Sequence, residues 1–269
     1  MANDIKKQQL RERILAAARG VFLDKGFAET KIGDIAAAAD ISVSTLYLHF
    51  GGKKELFDGL DIPHAAENRP EFDQKREEIV RMALAVFGEQ GFENTTMDDI
   101  ADRAGFSKAT LYQFCSSKED LFLQTLDYFI DTGVQSPGWR RDGLEDWRGY
   151  LLKVGNACIA RSLDPGRNAF LGAVIRDSKK FPIFGKVYYE HSYKVARRAF
   201  VDFFRWHQEA GHIRPDADLT STADVFQGIL MSYVVLFRIA SGIDCDVDPE
   251  VYIARAVEMF ANDLEIKSP

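Results

Sequence analysis

Asp34–Tyr47 reads DIAAAADISVSTLY, and 65 residues further on Asp99–Tyr112 reads DIADRAGFSKATLY. Working outward from this pair, Ile14–Phe57 lies over Ile79–Phe122 without a gap, and 18 of the 44 aligned positions are identical. The matches include Ala18/Ala83, Val21-Phe22/Val86-Phe87, Gly26-Phe27/Gly91-Phe92, Thr30/Thr95, Ala39/Ala104, Ser42/Ser107 and Lys53/Lys118. Unrelated amphipathic helices do not hold register across turns in this way, so the chain carries a tandem duplication.

Each copy reads as three helices. Ile14, Leu15, Ala18, Val21 and Phe22 recur at helical spacing and form one apolar face. Gly26 ends that helix at a position suited to left-handed backbone. A short second helix opens at Thr30 or Lys31, with Ile32, Ile35, Ala36 and Ala39 on its inner face. The turn Asp40-Ile41-Ser42 follows, and Ser42 caps a third helix, Val43 to His49. Helices joined by so short a turn approach closely, which the alanines permit. Asp40 stands where the second copy has Gly105, and Asp enters the left-handed region at modest cost.

The third helix points to function. Leu46 faces inward, which leaves Val43, Ser44, Thr45, Tyr47 and His49 outward or sideways. Short, polar, exposed residues at a helix N-terminus are what a major groove accepts. Ser and Thr hydroxyls can meet phosphates or base edges, and a Tyr can reach a phosphate or pack on a thymine methyl. The candidate DNA contacts in copy one are Thr30, Lys31, Ser42, Val43, Ser44, Thr45, Tyr47, His49 and Lys53. Lys53 opens the next helix, where its charge adds to N–H groups that favour an anion. In copy two the candidates are Thr95, Thr96, Ser107, Lys108, Ala109, Thr110, Tyr112, Gln113 and Lys118.

Gly26-Phe27…Thr30, Ile35-Ala36…Ala39-Asp40-Ile41-Ser42…Leu46-Tyr47-Leu48-His49-Phe50…Lys53…Leu56 resembles the DNA-binding domain of the tetracycline-repressor (TetR) family. Gly91-Phe92…Thr95, Ile100-Ala101…Ala104-Gly105-Phe106-Ser107…Leu111-Tyr112-Gln113-Phe114-Cys115…Lys118…Leu121 resembles it again. The resemblance implies a double-stranded DNA operator as partner. It also implies a C-terminal half whose helices build a pocket for a small hydrophobic effector and a homodimer interface. Copy two departs from the pattern at Phe114 and Cys115. Copy one keeps His49 and follows Lys6, Lys7, Arg11 and Arg13, so it is expected to be the principal DNA contact.

The net charge is −7, yet residues 1–60 hold nine Lys/Arg against eight Asp/Glu and form the one positive segment. Phosphate contacts need local cations, so an acidic body is compatible with DNA binding. Cys115, Cys158 and Cys245 are far apart, and the five histidines form no cluster, so neither a metal nor a disulfide framework is expected. With no phosphate-binding glycine loop and no G-x-S-x-G, no cofactor and no enzyme activity are expected. The start of the chain has no apolar run behind its charges. The longest apolar stretch, residues 228–237, is about half of the ~20 residues a membrane span needs. A cytoplasmic protein without membrane contact is therefore expected.

The expected organisation is all-α: a first head over 8–60, a linker over 61–74, a second head over 75–122 and a helical effector-binding and dimerisation domain over 123–269. Breakers divide the last part into helices near 119–133, 143–163, 167–179, 183–210, 219–241 and 249–264. Aromatic residues stripe 183–210, and apolar residues nearly encircle 219–241, so both helices are expected to bury two sides. The leading reading is a homodimeric transcriptional repressor released by a small-molecule effector. The rival reading is a regulator or adaptor in which one head serves protein contacts.

Overall fold

The computed structural model describes residues 2–60, 70–133, 146–240 and 247–265, and among these the secondary structure is helical with no strand. Copy one comprises α1 (Ala2–Glu29), α2 (Ile32–Ala38), α3 (Val43–His49) and α4 (Lys53–Asp58). Copy two comprises α5 (Pro70–Asn94), α6 (Met97–Ala104), α7 (Lys108–Phe114) and α8 (Lys118–Gly133). Then follow α9 (Trp147–Arg161), α10 (Pro165–Asp177), α11 (Pro182–Tyr188), a π-helical turn at Tyr189–Tyr193, and α12 (Lys194–Glu209). The chain closes with α13 (Leu219–Ser232), a π-helical segment at Tyr233–Ala240, and α14 (Pro249–Leu264).

The turn chemistry read from the sequence is realised in both heads. Gly26 and its counterpart Gly91 adopt φ of 75° and 80°, where a side chain would be strained. Asp40 takes φ 52°, the one non-glycine residue with positive φ among the described residues, and Gly105 takes 70° in the same turn of copy two. The linker expected over 61–74 overlaps the start of α5. Residues 61–69 lie outside the described residues, and α5 already begins at Pro70. Proline suits a first helical position because its fixed φ is helical and its missing N–H has no partner there anyway.

The chain divides into two compact units. One comprises Met1–Ile130 with Ala173–Tyr188, the other Asp131–Gly172 with Tyr189–Pro269. The first unit therefore extends beyond the expected limit at residue 122, because α8 is one unbroken helix to Gly133 and residues 173–188 join the heads. In each head three phenylalanines interlock. Phe22, Phe27 and Phe57 have centroid distances of 5.9, 5.1 and 4.9 Å; Phe87, Phe92 and Phe122 have 6.1, 5.0 and 5.4 Å. The second cluster is extended by Phe181 and Phe184, which meet Phe92 edge-to-face at 4.8 and 5.0 Å.

In the second unit, Trp147, Leu151, Ile159, Phe200, Phe203, Phe204, Phe226, Leu230, Tyr233 and Ile253 form the core. The helix expected over 183–210 is interrupted by the π turn, which is also where the two units part. Its aromatic stripe is split accordingly: Phe184 is buried with the heads and Phe203 in the second unit, while Tyr189 and Val195 are exposed. The helical run Leu219–Ala240 is long and apolar enough by composition to cross a membrane, longer than the stretch read from the sequence. Its Ala223, Phe226, Leu230 and Tyr233 belong to the core of the second unit. His207 is fully buried in this core, with Nδ1 3.0 Å from Nδ1 of His212.

Candidate nucleic-acid interface

Several candidate DNA contacts prove to be internal fasteners. Thr30 and Thr95 are buried, and each hydroxyl donates to the carbonyl of the positive-φ glycine four residues earlier, at 2.7 Å in both copies. Lys53 is also buried; its Nζ donates to the carbonyls of Phe27 at 2.6 Å and Thr30 at 3.0 Å, over the Phe27 ring. Lys118 repeats this with Phe92 at 2.7 Å and Thr95 at 2.8 Å. Partial shielding from solvent lowers the Lys118 pKa. Lys53 and Lys118, expected on phosphate, are thus engaged with backbone carbonyls of their own heads. Their charge satisfies carbonyls that the chain leaves open between the first and second helix of each head.

Ser42 and Ser107 cap their recognition helices as expected. Each Oγ accepts from the backbone N–H three residues on, Thr45 at 3.0 Å and Thr110 at 3.1 Å. Both serines are exposed. In copy two, Thr96 caps α6 with Asp99 in a reciprocal capping box, which holds the Asp99 carboxyl below its usual pKa.

Beyond the caps the two recognition helices part ways. In copy one, α3 packs against α11, and Ser44 Oγ donates to Glu119 Oε1 of α8 at 2.5 Å. Gly33 of α2 lies so close to α8's lead-in that a Cβ there would meet Ser116 Oγ at 2.9 Å. Tyr47 is 1% exposed. Burial, reinforced by the negative charges of Asp120 and Asp127, raises its phenol well above the usual tyrosine pKa. The outward-facing Tyr47 expected from the sequence is thus corrected: the ring sits against the second head. Val43, Ser44, Thr45 and His49 are half-buried, and the His49 carbonyl accepts from Arg11 at 2.5 Å.

In copy two, α7 is open along the same face. Lys108, Ala109 and Gln113 are exposed, Thr110 is half-exposed, and Tyr112, the counterpart of Tyr47, is 41% exposed. Lys108 Nζ pairs with Asp98 at 2.8 Å, an exposed contact that a phosphate can replace at little cost. Phe114 and Cys115, the departures from the family pattern, point inward. Cys115 is fully buried, its thiol donates to the Leu111 carbonyl, and burial pushes its pKa up to about 12, so it is a packed apolar residue. The exposures thus run opposite to the order expected from charge and His49.

Sequence reasoning missed one contact between the heads and the polar network behind α7 in copy two. Lys31, read as a DNA contact, donates instead to the Tyr112 carbonyl at 2.7 Å. Asp120 is buried, accepts from Ser116 N at 2.7 Å and from Gln124 Nε2 at 3.2 Å, and has a carboxyl pKa raised by its burial. Arg76 reaches Gln124 Oε1 at 3.3 Å. The 65-residue shift aligns Arg76 with Arg11 and so flags it as a remote fastener, but nothing local marks Lys31.

Comparison with known proteins agrees with this geometry. The family model described as bacterial regulatory proteins of the tetR family matches residues 14–60 and again 79–125. The AefR-like transcriptional repressor C-terminal domain matches 149–263. The transcriptional regulator YfiR of Bacillus subtilis is 26% identical over 159 residues, covering 57% of this chain and 75% of that protein. The transcriptional repressor KstR2 of Mycobacterium tuberculosis is 28% identical over 154 residues, covering 55% and 73%. A TetR family regulator from Pseudomonas syringae pv. tomato superposes with TM-score 0.56 at 28% identity, covering 72% of this chain and 99% of that one. More than a quarter of this chain thus has no counterpart in that structure. With helix-turn-helix heads matched twice and the C-terminal helices matched once, this chain belongs to the TetR family of DNA-binding transcription regulators, which are transcription factors and not enzymes.

Proposed function

We propose that the chain reads its operator through α7 of copy two, while α3 of copy one serves a protein contact within the chain. The single observation that carries this reading is the opposite exposure of two equivalent tyrosines, Tyr112 open and Tyr47 buried. Ser107, Lys108, Ala109, Thr110, Tyr112 and Gln113 then supply the groove contacts, with Thr96 and its capping box beside them. A homodimer brings two α7 helices to half-sites one helical turn apart, ~34–36 Å. A small hydrophobic effector held among the helices beyond residue 130 changes that separation and releases the DNA. Repression is the sign we propose, supported by the repressor C-terminal domain that residues 149–263 match. A protein that acts on DNA in this way works in the cytoplasm.

The test begins with a duplex selected by the wild-type chain from a random pool. Tyr112→Ala and Gln113→Ala are expected to weaken its binding roughly 10–100-fold each, the range of a lost base or phosphate-and-base contact. If neither variant weakens binding, the assignment to α7 is wrong. Sedimentation of the free chain as a monomer would remove the dimer, and a melting-shift screen of small apolar compounds without a single hit would remove the effector.

A further inference from the structure

The carbonyls at the end of a recognition helix have no partner within that helix and need one from outside. In copy one the solution is local: Arg11 of α1 donates to the His49 carbonyl and lies over the Phe50 ring at 4.0 Å. In copy two Arg76, the residue aligned with Arg11, is drawn instead to Gln124, whose Nε2 donates to the Phe114 carbonyl at 3.1 Å. Cys115 has replaced the ring that would receive the guanidinium. The Tyr112 carbonyl, two residues back and beside the exposed Tyr112 and Gln113 side chains, takes its donor from the other head, Lys31 Nζ at 2.7 Å.

A cation at a helix C-terminus also meets the negative end of the helix dipole, so the contact both caps the last turn of α7 and attracts it. Copy one is held in place for this by Ser44 on Glu119, the close approach of Gly33 to Ser116, and the buried Tyr47. Thr96 occupies the position aligned with Lys31, so copy two cannot offer copy one the same service in return.

We propose that Lys31 is a positioning residue by which the first head sets the reading helix of the second, acting through the Tyr112 carbonyl and making no DNA contact itself. This rests on the reading that α7 contacts DNA. The duplicated head is then a working part of the DNA reader, since the last turn of α7 carries Tyr112 and Gln113 and frays when its cap is lost.

The experiment measures full-length Lys31→Met and Lys31→Arg beside Tyr112→Ala on two duplexes of equal length, the one selected from a random pool and one unrelated, over a range of salt. Lys31→Met is expected to lower affinity for the selected duplex about two- to five-fold, the range of a helix-terminus cation. Affinity for the unrelated duplex and the slope of log affinity against log salt stay unchanged, and Lys31→Arg restores binding. A slope reduced by about one, with both duplexes weakened, would make Lys31 a phosphate contact and overturn the proposal. No loss with Lys31→Met while Tyr112→Ala weakens binding overturns it alone. A silent Tyr112→Ala overturns the α7 reading, and this proposal with it.

Discussion

The recognition helices α3 and α7 share a capping serine, a following threonine, a buried leucine and a tyrosine at the same positions, yet one tyrosine is buried and the other open. Their own heads do not explain the difference. Leu46 and Leu111 are both fully buried, both serine caps form, and both phenylalanine clusters close with similar spacings. What differs is what lies over the helix: α11 packs on α3 and Glu119 of α8 bonds Ser44, whereas among the described residues the corresponding side chains of α7 are exposed. A helix-turn-helix fold is therefore no guarantee of a DNA-reading surface. The same face that accepts a major groove accepts another helix.

The sharpest way to break this comparison is to truncate both tyrosines. Tyr47→Ala is expected to cost roughly 3–5 kcal/mol of stability in urea unfolding, the range for removing a large buried ring. Tyr112→Ala should unfold within about 0.5 kcal/mol of wild type, as exposed substitutions do. Equal losses at the two positions would mean that α3 is not packed as described.

Where the heads are alike, the comparison predicts equality. Lys53→Met and Lys118→Met each strand carbonyls that the ammonium now serves, so each should cost about 1–3 kcal/mol. A loss in salt-dependent DNA affinity with no loss of stability would restore the phosphate role read from the sequence.

The smallest expected effect is alkaline. Tyr47 has a folded-state pKa raised above the ordinary value of 10.0 by burial and by Asp120 and Asp127. The native state therefore keeps a proton that the unfolded chain gives up. Its contribution is complete below pH 10 and is lost as pH rises toward the folded-state value, by at most about 1.4 kcal/mol per pH unit. Melting temperatures of Tyr47→Phe should fall less steeply than wild type between pH 10 and 11. Parallel curves for the two would sink the assignment of that burial.

Much of the fold was legible from residue pattern. Ser42, Asp40, Gly26 and their counterparts mark turns through local backbone preferences, and the spans Val43–His49, Lys118–Gly133 and Pro249–Leu264 agree with the sequence reading to within a residue. The roles of individual polar residues were less legible. Thr30, Lys53, Thr95 and Lys118 are equally at home on a phosphate or on a carbonyl, and one chain does not say which. Pro70 looked like a linker residue because proline breaks helices in their interior, while at a helix start it does the opposite.

The sequence by itself determined that two TetR-type heads exist, where their turns and recognition helices fall, and that a helical domain follows, because these follow from periodicity, caps and turns within about ten residues of each other. Only the tertiary structure decided which head presents its recognition helix. That choice depends on contacts such as Ser44 with Glu119 and Lys31 with Tyr112, whose partners stand 75 and 81 residues apart. No local pattern around Tyr47 or Tyr112 records what will be folded over it.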